Sequence, residues 1–519
     1  MAMSESAGRR RNAIPAIPAW AALTIALAHA PAALAAEWRI APSLDVRETW
    51  SDNIRLAPKG EERTDFVTEI APGIDITAAG PRLKLQANYR MRNQYYAKGN
   101  SGNRTQHELK ALANAELVED LLFLDGMAGI SDQRLSAFGP YRQDDFHLDD
   151  NQTRVGTYRL SPYLVNRFGQ TATSQLRFAS EGVNSNTDGL SNTRTNRIEM
   201  RLNSGPAFKT LGWGLQYSRS HTDYNDLGSL RTQNATADLR YRLTREFSLT
   251  GSGGYEEYSY RATGERPDGA FWTGGIAWTP TDRTLIEASA GHRFYGDTYS
   301  LNATHRTRRT AWSVNYQEDI TTSQSQFLVP GTIDTAAFLD QLWAPSIADP
   351  VARRQAVDAF MRSSGLPGSL ATSVNTLTNR VFLQKRWQAS GAFNTARTTL
   401  VLSAFNARRE AQTGQAADAS LLAASQFALD GDTRQTGVNG VWTWRIGART
   451  SAHASAGYTT VRALDSARKD HNTTLGVGVS RQFQPRLRGT VDLRRLESDS
   501  NIIGDTRENA ISAALLMQF

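Results

Sequence analysis

The feature that most constrains this chain is a period of two. In "RLKLQANYRMRNQYY", Leu83, Leu85, Ala87, Tyr89 and Met91 take one parity, while Arg82, Lys84, Gln86, Asn88, Arg90 and Arg92 take the other. "WRIAPSLDVRE" sets Trp38, Ile40, Leu44 and Val46 against Arg39, Ser43, Asp45 and Arg47. "NATADLRYRL" sets Ala235, Ala237, Leu239, Tyr241 and Leu243 against Thr236, Asp238, Arg240 and Arg242. "RLRGTVDLR" sets Leu487, Gly489, Val491 and Leu493 against Arg486, Arg488, Thr490, Asp492 and Arg494. Alternation of this kind puts the two sets on opposite faces of a sheet. The runs last roughly 10–15 residues, the length of a strand that crosses a bilayer at a tilt.

Connections alternate between short and long. The short ones carry turn chemistry, as in "AAGPR", "RFGQ", "LTREF", "TPTDR", "IGART" and "FQPRL". The long ones are polar, as in "SDNIRLAPKGEERTD" and "AFGPYRQDDFHLDDN". The expected fold is all-β, a transmembrane antiparallel up-and-down β-barrel of about 22 strands, within about 20–24, with short turns on the periplasmic side. No run of ~18 apolar residues follows residue 35, so no helical span is expected. The mean hydropathy of −0.46 fits a wall in which only alternate residues meet lipid. A propeller would repeat every ~40–50 residues, and no such repeat is present. Trp38, Tyr95, Phe123, Tyr163, Trp213, Tyr224, Trp278, Trp312, Phe483 and Phe519 fall near strand ends, where interfacial aromatics belong.

The first residues read as an address. Arg9, Arg10 and Arg11 precede an apolar run from Ala13 to Ala33, which exits through small residues at Ala33-Leu34-Ala35. That is the layout of a cleaved secretory signal over 1–35, leaving 36–519 as the barrel. The formal charge of +7 then becomes 7 − 3 + 1 = +5, since Arg9, Arg10, Arg11 and Glu5 depart. Such mild basicity predicts no nucleic-acid partner. The absence of cysteine rules out disulfides and cysteine metal sites.

One stretch departs from the alternation. Residues 323–375 form the longest extracellular loop and carry a helical pattern. Asp349 suits an N-cap and Pro350 the first turn, with Phe360 and Met361 on the apolar face and Arg353 and Arg354 off it. The expectation is a constriction or cap built from Asp349, Arg353, Arg354, Phe360 and Met361, either folded into the pore or covering its rim.

The polar parity is rich in cations. Arg82, Lys84, Arg90, Arg92, Arg177, Arg197, Arg201, Arg240, Arg242, Arg486, Arg488 and Arg494 are the lumen-facing candidates. Cations inside a pore favour anions, and guanidinium forks suit carboxylate or phosphate. The competing reading is a lattice of internal ion pairs with acids such as Glu199, Asp238 and Asp492. Outside the signal, the histidines His107, His147, His221, His292, His305, His453 and His471 are scattered, without metal-ligand or hydrolase spacing, so no enzyme, cofactor or metal is expected. Asp144, Asp145, Asp149 and Asp150 read as solvated loop charge before they read as a calcium site.

The segments "WRIAPSLDVRETWSDNIRLAP", "DFVTEIAPGIDI", "LSPYLVNRFG" and "LDQLW…ADPVARRQAV…GLP" together resemble the outer-membrane proteins associated with PEP-CTERM/exosortase systems. "SDNI" (Ser51 to Ile54), Pro72 to Ile74 and the insertion are its specific features. The resemblance implies a bacterial outer-membrane barrel in cells that make exopolysaccharide and sort PEP-CTERM proteins. It carries no catalytic or binding residues. The functional expectation is a porin-like channel with a basic lumen, linked to exopolysaccharide export or surface sorting; the alternative is a non-conducting scaffold that docks exopolysaccharide or export partners. Expected partners are outer-membrane lipid and lipopolysaccharide, the barrel assembly machinery, and anionic polysaccharide or periplasmic export components. In "RENAISAALLMQF", Leu515, Met517 and Phe519 share the apolar parity of a last strand and read as the assembly signal.

Overall fold

The computed structural model describes residues 36–98, 102–134, 136–139, 146–147, 151–185, 190–225, 228–260, 267–328, 339–340, 357, 378–414 and 432–519. The signal expected over 1–35 lies outside them. The first six strands are β1 (Glu37–Ser51), β2 (Asp65–Ala79), β3 (Leu83–Tyr96), β4 (Arg104–Val118), β5 (Leu122–Arg134) and β6 (Gln152–Phe168). Next come β7 (Ala172–Ser185), β8 (Thr193–Ser204), β9 (Leu211–Tyr224), β10 (Gly228–Arg242) and β11 (Phe247–Ser259). They are followed by β12 (Asp268–Thr281), β13 (Thr284–Arg293), β14 (Gly296–Arg306) and β15 (Thr310–Thr322). After helix α1 (Ser323–Phe327) the wall resumes with β16 (Val381–Asn394), β17 (Thr398–Ala411), β18 (Thr433–Arg445) and β19 (Thr450–Ala463). It ends with β20 (Lys469–Gln484), β21 (Leu487–Ser500) and β22 (Thr506–Gln518).

The 22 strands form one sheet in which each strand pairs antiparallel with its chain neighbours. The sheet closes through β1 and β22, from Ser43↔Gln518 to Ser51↔Ala510. Closure leaves no strand of the sheet at a free edge, the condition for spanning a hydrocarbon layer. The count and the alternation of connections match the sequence reading, with two exceptions on the long-loop side: β9 and β10 are joined by 225–227 alone, and β13 and β14 by Phe294 and Tyr295 alone. Gly296 follows with φ +110°, a conformation that glycine supplies without steric cost.

Two prolines mark gaps in the ladder. The β2–β3 register passes from Ile70↔Asn93 to Gly73↔Arg90 around Pro72, and the β6–β7 register from Leu160↔Ser180 to Tyr163↔Arg177 around Pro162. Proline has no N–H to give, so each interrupts pairing on one side only.

The outward parity is apolar. Trp38, Trp278, Trp312, Phe393, Trp442, Trp444, Phe483 and Phe519 are exposed near the periplasmic strand ends. Tyr255, Trp272, Tyr299, Trp387 and Tyr458 form a second exposed set further along the strands. Leu215, Leu402, Val438, Val477 and Leu493 lie between, also exposed. This is an apolar band bounded by aromatic belts. At Gly391 an added Cβ would stand 2.5 Å from the Trp312 ring, so the glycine makes room for a belt residue. Three of the aromatics assigned to the belts face inward instead. Phe123 stacks on Tyr163 at 5.2 Å, Arg177 covers Tyr163 at 3.9 Å, and Tyr224 shares the inward parity of buried Ser220.

Candidate functional site: the lumen and the segments that enter it

The site begins at the seam. Ser51 ends β1, and its Oγ donates to Glu508 Oε1 of β22 at 2.6 Å. Asp52 accepts from the Asn509 backbone N–H and side-chain amide, both at 2.7 Å. Asn53 is fully buried; its amide donates to the carbonyls of Ala57 and Arg507 at 2.9 Å, and its Oδ1 accepts from the Ala57 N–H. Ile54 packs with Val67, Tyr96, Phe146 and Ala510. Each residue of "SDNI" therefore helps fasten the extracellular end of the closing strand.

The β5–β6 connection folds inward onto this clasp. His147 has no exposed surface, and its Nε2 meets Glu508 Oε1 at 2.8 Å. Arg494 of β21 donates to Glu508 Oε2 at 2.9 Å and lies over the Phe146 ring at 5.0 Å. Tyr96 Oη donates to the Phe146 carbonyl at 2.9 Å. The same connection also reaches β19 and β20. Phe138 packs with Val461 and Ala463 beneath the Arg468 guanidinium, and the Gly139 N–H donates to Asp470 Oδ2 at 2.7 Å. A buried carboxylate holding a hydroxyl, an imidazole and a guanidinium is well paired, which is what makes such burial tolerable.

A second segment enters from β15. Thr322 and Ser325 cap α1 reciprocally, each backbone N–H donating to the other's hydroxyl at 3.1 Å. Gln326 accepts from Arg409 Nη2 at 2.6 Å and meets the Gln384 amide. Leu328 then packs against Val155 and Val183 on β6 and β7, a different sector of the wall. Asn379, on the return to β16, accepts from the Ser191 N–H at 3.1 Å. Described helix in this insertion is α1 together with residues 339, 340 and 357. Asp349, Arg353, Arg354, Phe360 and Met361 lie outside the described residues, as do Asp144, Asp145, Asp149 and Asp150. Leu339 and Val357 have no exposed surface.

The candidate cations divide into three groups. Arg92, Arg177, Arg197, Arg201 and Arg494 sit in inward ion pairs: Arg92 with Glu69 at 2.9 Å, Arg177 with Asp125 at 2.7 Å, and Arg197 with Glu181 and Glu199 at 3.8 and 3.7 Å. Arg201 meets Glu199 at 3.4 Å, and Arg159 completes the lattice on Glu181 at 2.7 Å. Lys84, Arg90, Arg240, Arg242 and Arg488 share the inward parity, opposite Asn114, Glu108, Thr250, Ser248 and Leu516. Lys84, Arg240 and Arg242 make no ion pair with a described residue. Arg82 and Arg486 are corrections: they stand in the β2–β3 and β20–β21 turns, outside the lumen wall. Arg82 pairs there with Glu119 of the next turn at 2.5 Å. The alternation of each run continues past the strand end, so parity alone could not tell a turn residue from a wall residue. On β22, Leu515, Met517 and Phe519 take the outward face.

One group escaped parity reasoning altogether. The periplasmic turns also hold Arg245, Arg283, Arg308, Arg309, Arg397 and Arg449, all exposed. Their acids are Glu119, Asp120, Glu246 and Asp282. The signal was present in the turn motifs, as a repeated arginine beside Gly, Thr or Asp. The periplasmic mouth is thus ringed by cations, and the lumen wall behind it carries Lys84 on β3 and Arg240 and Arg242 on β10, which make no ion pair with a described residue.

No family model matches the chain, and no curated protein matches it. Solved structures of similar fold include the siderophore receptor PirA from Pseudomonas aeruginosa, at 9% identity and TM-score 0.43, covering 93% of this chain and 80% of that one. The outer membrane protein opdK from Pseudomonas aeruginosa matches at 8% identity and TM-score 0.34, over 93% and 99%. A loop L8 deletion mutant of OmpT, an outer membrane protein of Vibrio cholerae, matches at 8% and 0.31, over 93% and 100%. The wall itself defines the class. A closed antiparallel barrel with an apolar outer band, two aromatic belts and a polar interior is an outer-membrane β-barrel.

Proposed function

We propose that this barrel is a constricted, anion-selective channel of the outer membrane, exported by loss of 1–35 and entered from the periplasm. The observation that carries the reading is the asymmetry of its two ends. The periplasmic mouth is ringed by turn arginines, with Lys84, Arg240 and Arg242 behind it making no ion pair with a described residue. The extracellular half holds the infolded β5–β6 connection and the α1 segment. Cations at a mouth raise the local anion concentration. The resemblance to exosortase-associated barrels supports an anionic exopolysaccharide, or its secretion partners, as cargo. Planar-bilayer recording on the refolded full chain tests this: small anion-selective steps are expected. Cation preference overturns it.

The scaffold reading rests on a specific observation of its own, the ion-pair lattice on β5 to β8 in which Asp125, Glu181 and Glu199 engage Arg159, Arg177, Arg197 and Arg201. A barrel that stays silent in the bilayer even after removal of 136–147 and 329–377 decides for the scaffold.

A further inference from the structure

Five cations occupy one register row on the outer face of β16 to β20. Lys385 is opposite Arg408, Arg408 opposite Arg434, Arg434 opposite Arg462, and Arg462 opposite Lys469. All five share parity with the exposed Trp387, Leu402, Val438, Tyr458 and Leu475. The intervening residues Arg409, Gln435 and Val461 are buried on the inner side. Lys385 stands one outward position beyond Trp387 of the upper belt, so the row starts where the apolar band ends.

Few acids answer these charges. Glu410 pairs with Arg408 at 2.6 Å, Glu318 lies opposite Lys385, and Asp499 lies opposite His471 in the next outward row. Lys385, Arg434, Arg462 and Lys469 make no ion pair with a described residue. Like charges directly opposite destabilise a sheet, and here four such pairs stand in succession. Other sectors of the outer face avoid this. Glu48 accepts from Thr68 at 2.6 Å, Arg495 pairs with Glu497 at 2.6 Å, and Arg219 lies opposite Gln233.

We infer that the row binds the phosphorylated headgroup of an outer-leaflet glycolipid, a lipopolysaccharide. Three features favour that occupant. The row adjoins the membrane border, where acyl chains would lie along Leu402, Val438, Leu475 and Val477. Guanidinium forks bind phosphate bidentately. Five strands at about 4.8 Å spacing give a row about 19 Å long, which matches a headgroup carrying several separated phosphates better than a phospholipid with one.

The test uses the full-length barrel in detergent, with purified lipopolysaccharide as probe. Saturable binding is expected, and the same lipopolysaccharide stripped of phosphate binds more weakly. The double variant Arg434→Gln/Arg462→Gln loses about fivefold in affinity per cation, since each basic residue near an anionic surface contributes on that order. The double variant Arg219→Gln/Arg231→Gln, with the same charge loss on another sector, keeps wild-type affinity. Equal binding of stripped lipopolysaccharide overturns the inference, as does equal loss in both variants. Equal binding by phosphatidylglycerol vesicles, or displacement by inorganic phosphate, overturns the glycolipid assignment in favour of a general anion site. Heat-modifiable mobility verifies folding of each variant. The stripped-lipid comparison needs only the wild-type chain, and it decides even where a variant fails to fold.

Discussion

Glu508 shows how much one side chain holds in this barrel. It bridges β1 through Ser51, β21 through Arg494 and the infolded connection through His147. Changing Glu508 to Ala leaves the Arg494 guanidinium, which is nearly buried, without its carboxylate. Breaking a buried pair from one side costs about 3–5 kcal/mol. The expected result is a lower temperature for loss of heat-modifiable mobility, together with protease cleavage near 136–147. Glu508→Gln keeps shape and an acceptor, so its fall is smaller. Glu497→Gln, in an exposed outer pair, changes little. An Asn53→Ala change removes three hydrogen bonds at the same clasp and loosens the seam in the same assay. The sequence singled out "SDNI" through resemblance alone. Its physical role was illegible there because its partners on β22 lie 454–457 positions away, at the other end of the chain.

At the scale of elements, strands and entering segments obey different rules. A strand declares itself locally, since one buried or lipid-facing side per residue pair writes the alternation into the sequence. That is why the strand number and the faces of β1, β3, β10 and β21 were readable. The entering segments carry no period, and their anchors are single contacts on distant walls, such as Leu328 on Val155 and Val183. Separability follows, because β5 and β6 pair along their length from Leu122↔Leu164 to Arg134↔Gln152 without help from the connection. Replacing 136–147 by a short Gly-Ser link should therefore leave a folded barrel and raise single-channel conductance. Leu328→Asp puts a charge between two valines and should release α1, raising conductance again and opening the segment to protease. A folded but unchanged conductance in both variants would place the constriction elsewhere.

For the whole molecule, the decisive property is where charge sits relative to water. The mild net charge of the sequence concealed a sorting that only register reveals. Arg159, Arg177, Arg197 and Arg201 on β6 to β8 are spent on internal pairs, the arginines of the turns stay exposed, and Arg408, Arg434 and Arg462 on β17 to β19 face outward. Exposed charges act over a Debye length, about 30 Å at ~0.01 M salt and about 3 Å at ~1 M. The turn ring should therefore govern anion preference in dilute salt and lose its hold in concentrated salt. Reversal potentials across a salt gradient measure this: the anion-to-cation permeability ratio should be highest near ~0.01 M and fall toward unity near ~1 M. Changing Arg245, Arg283, Arg397 and Arg449 to Gln should flatten that dependence. If the ratio still falls with salt as in the wild type, selectivity belongs to Lys84, Arg240 and Arg242 inside the lumen, and Arg240→Gln/Arg242→Gln should then abolish it.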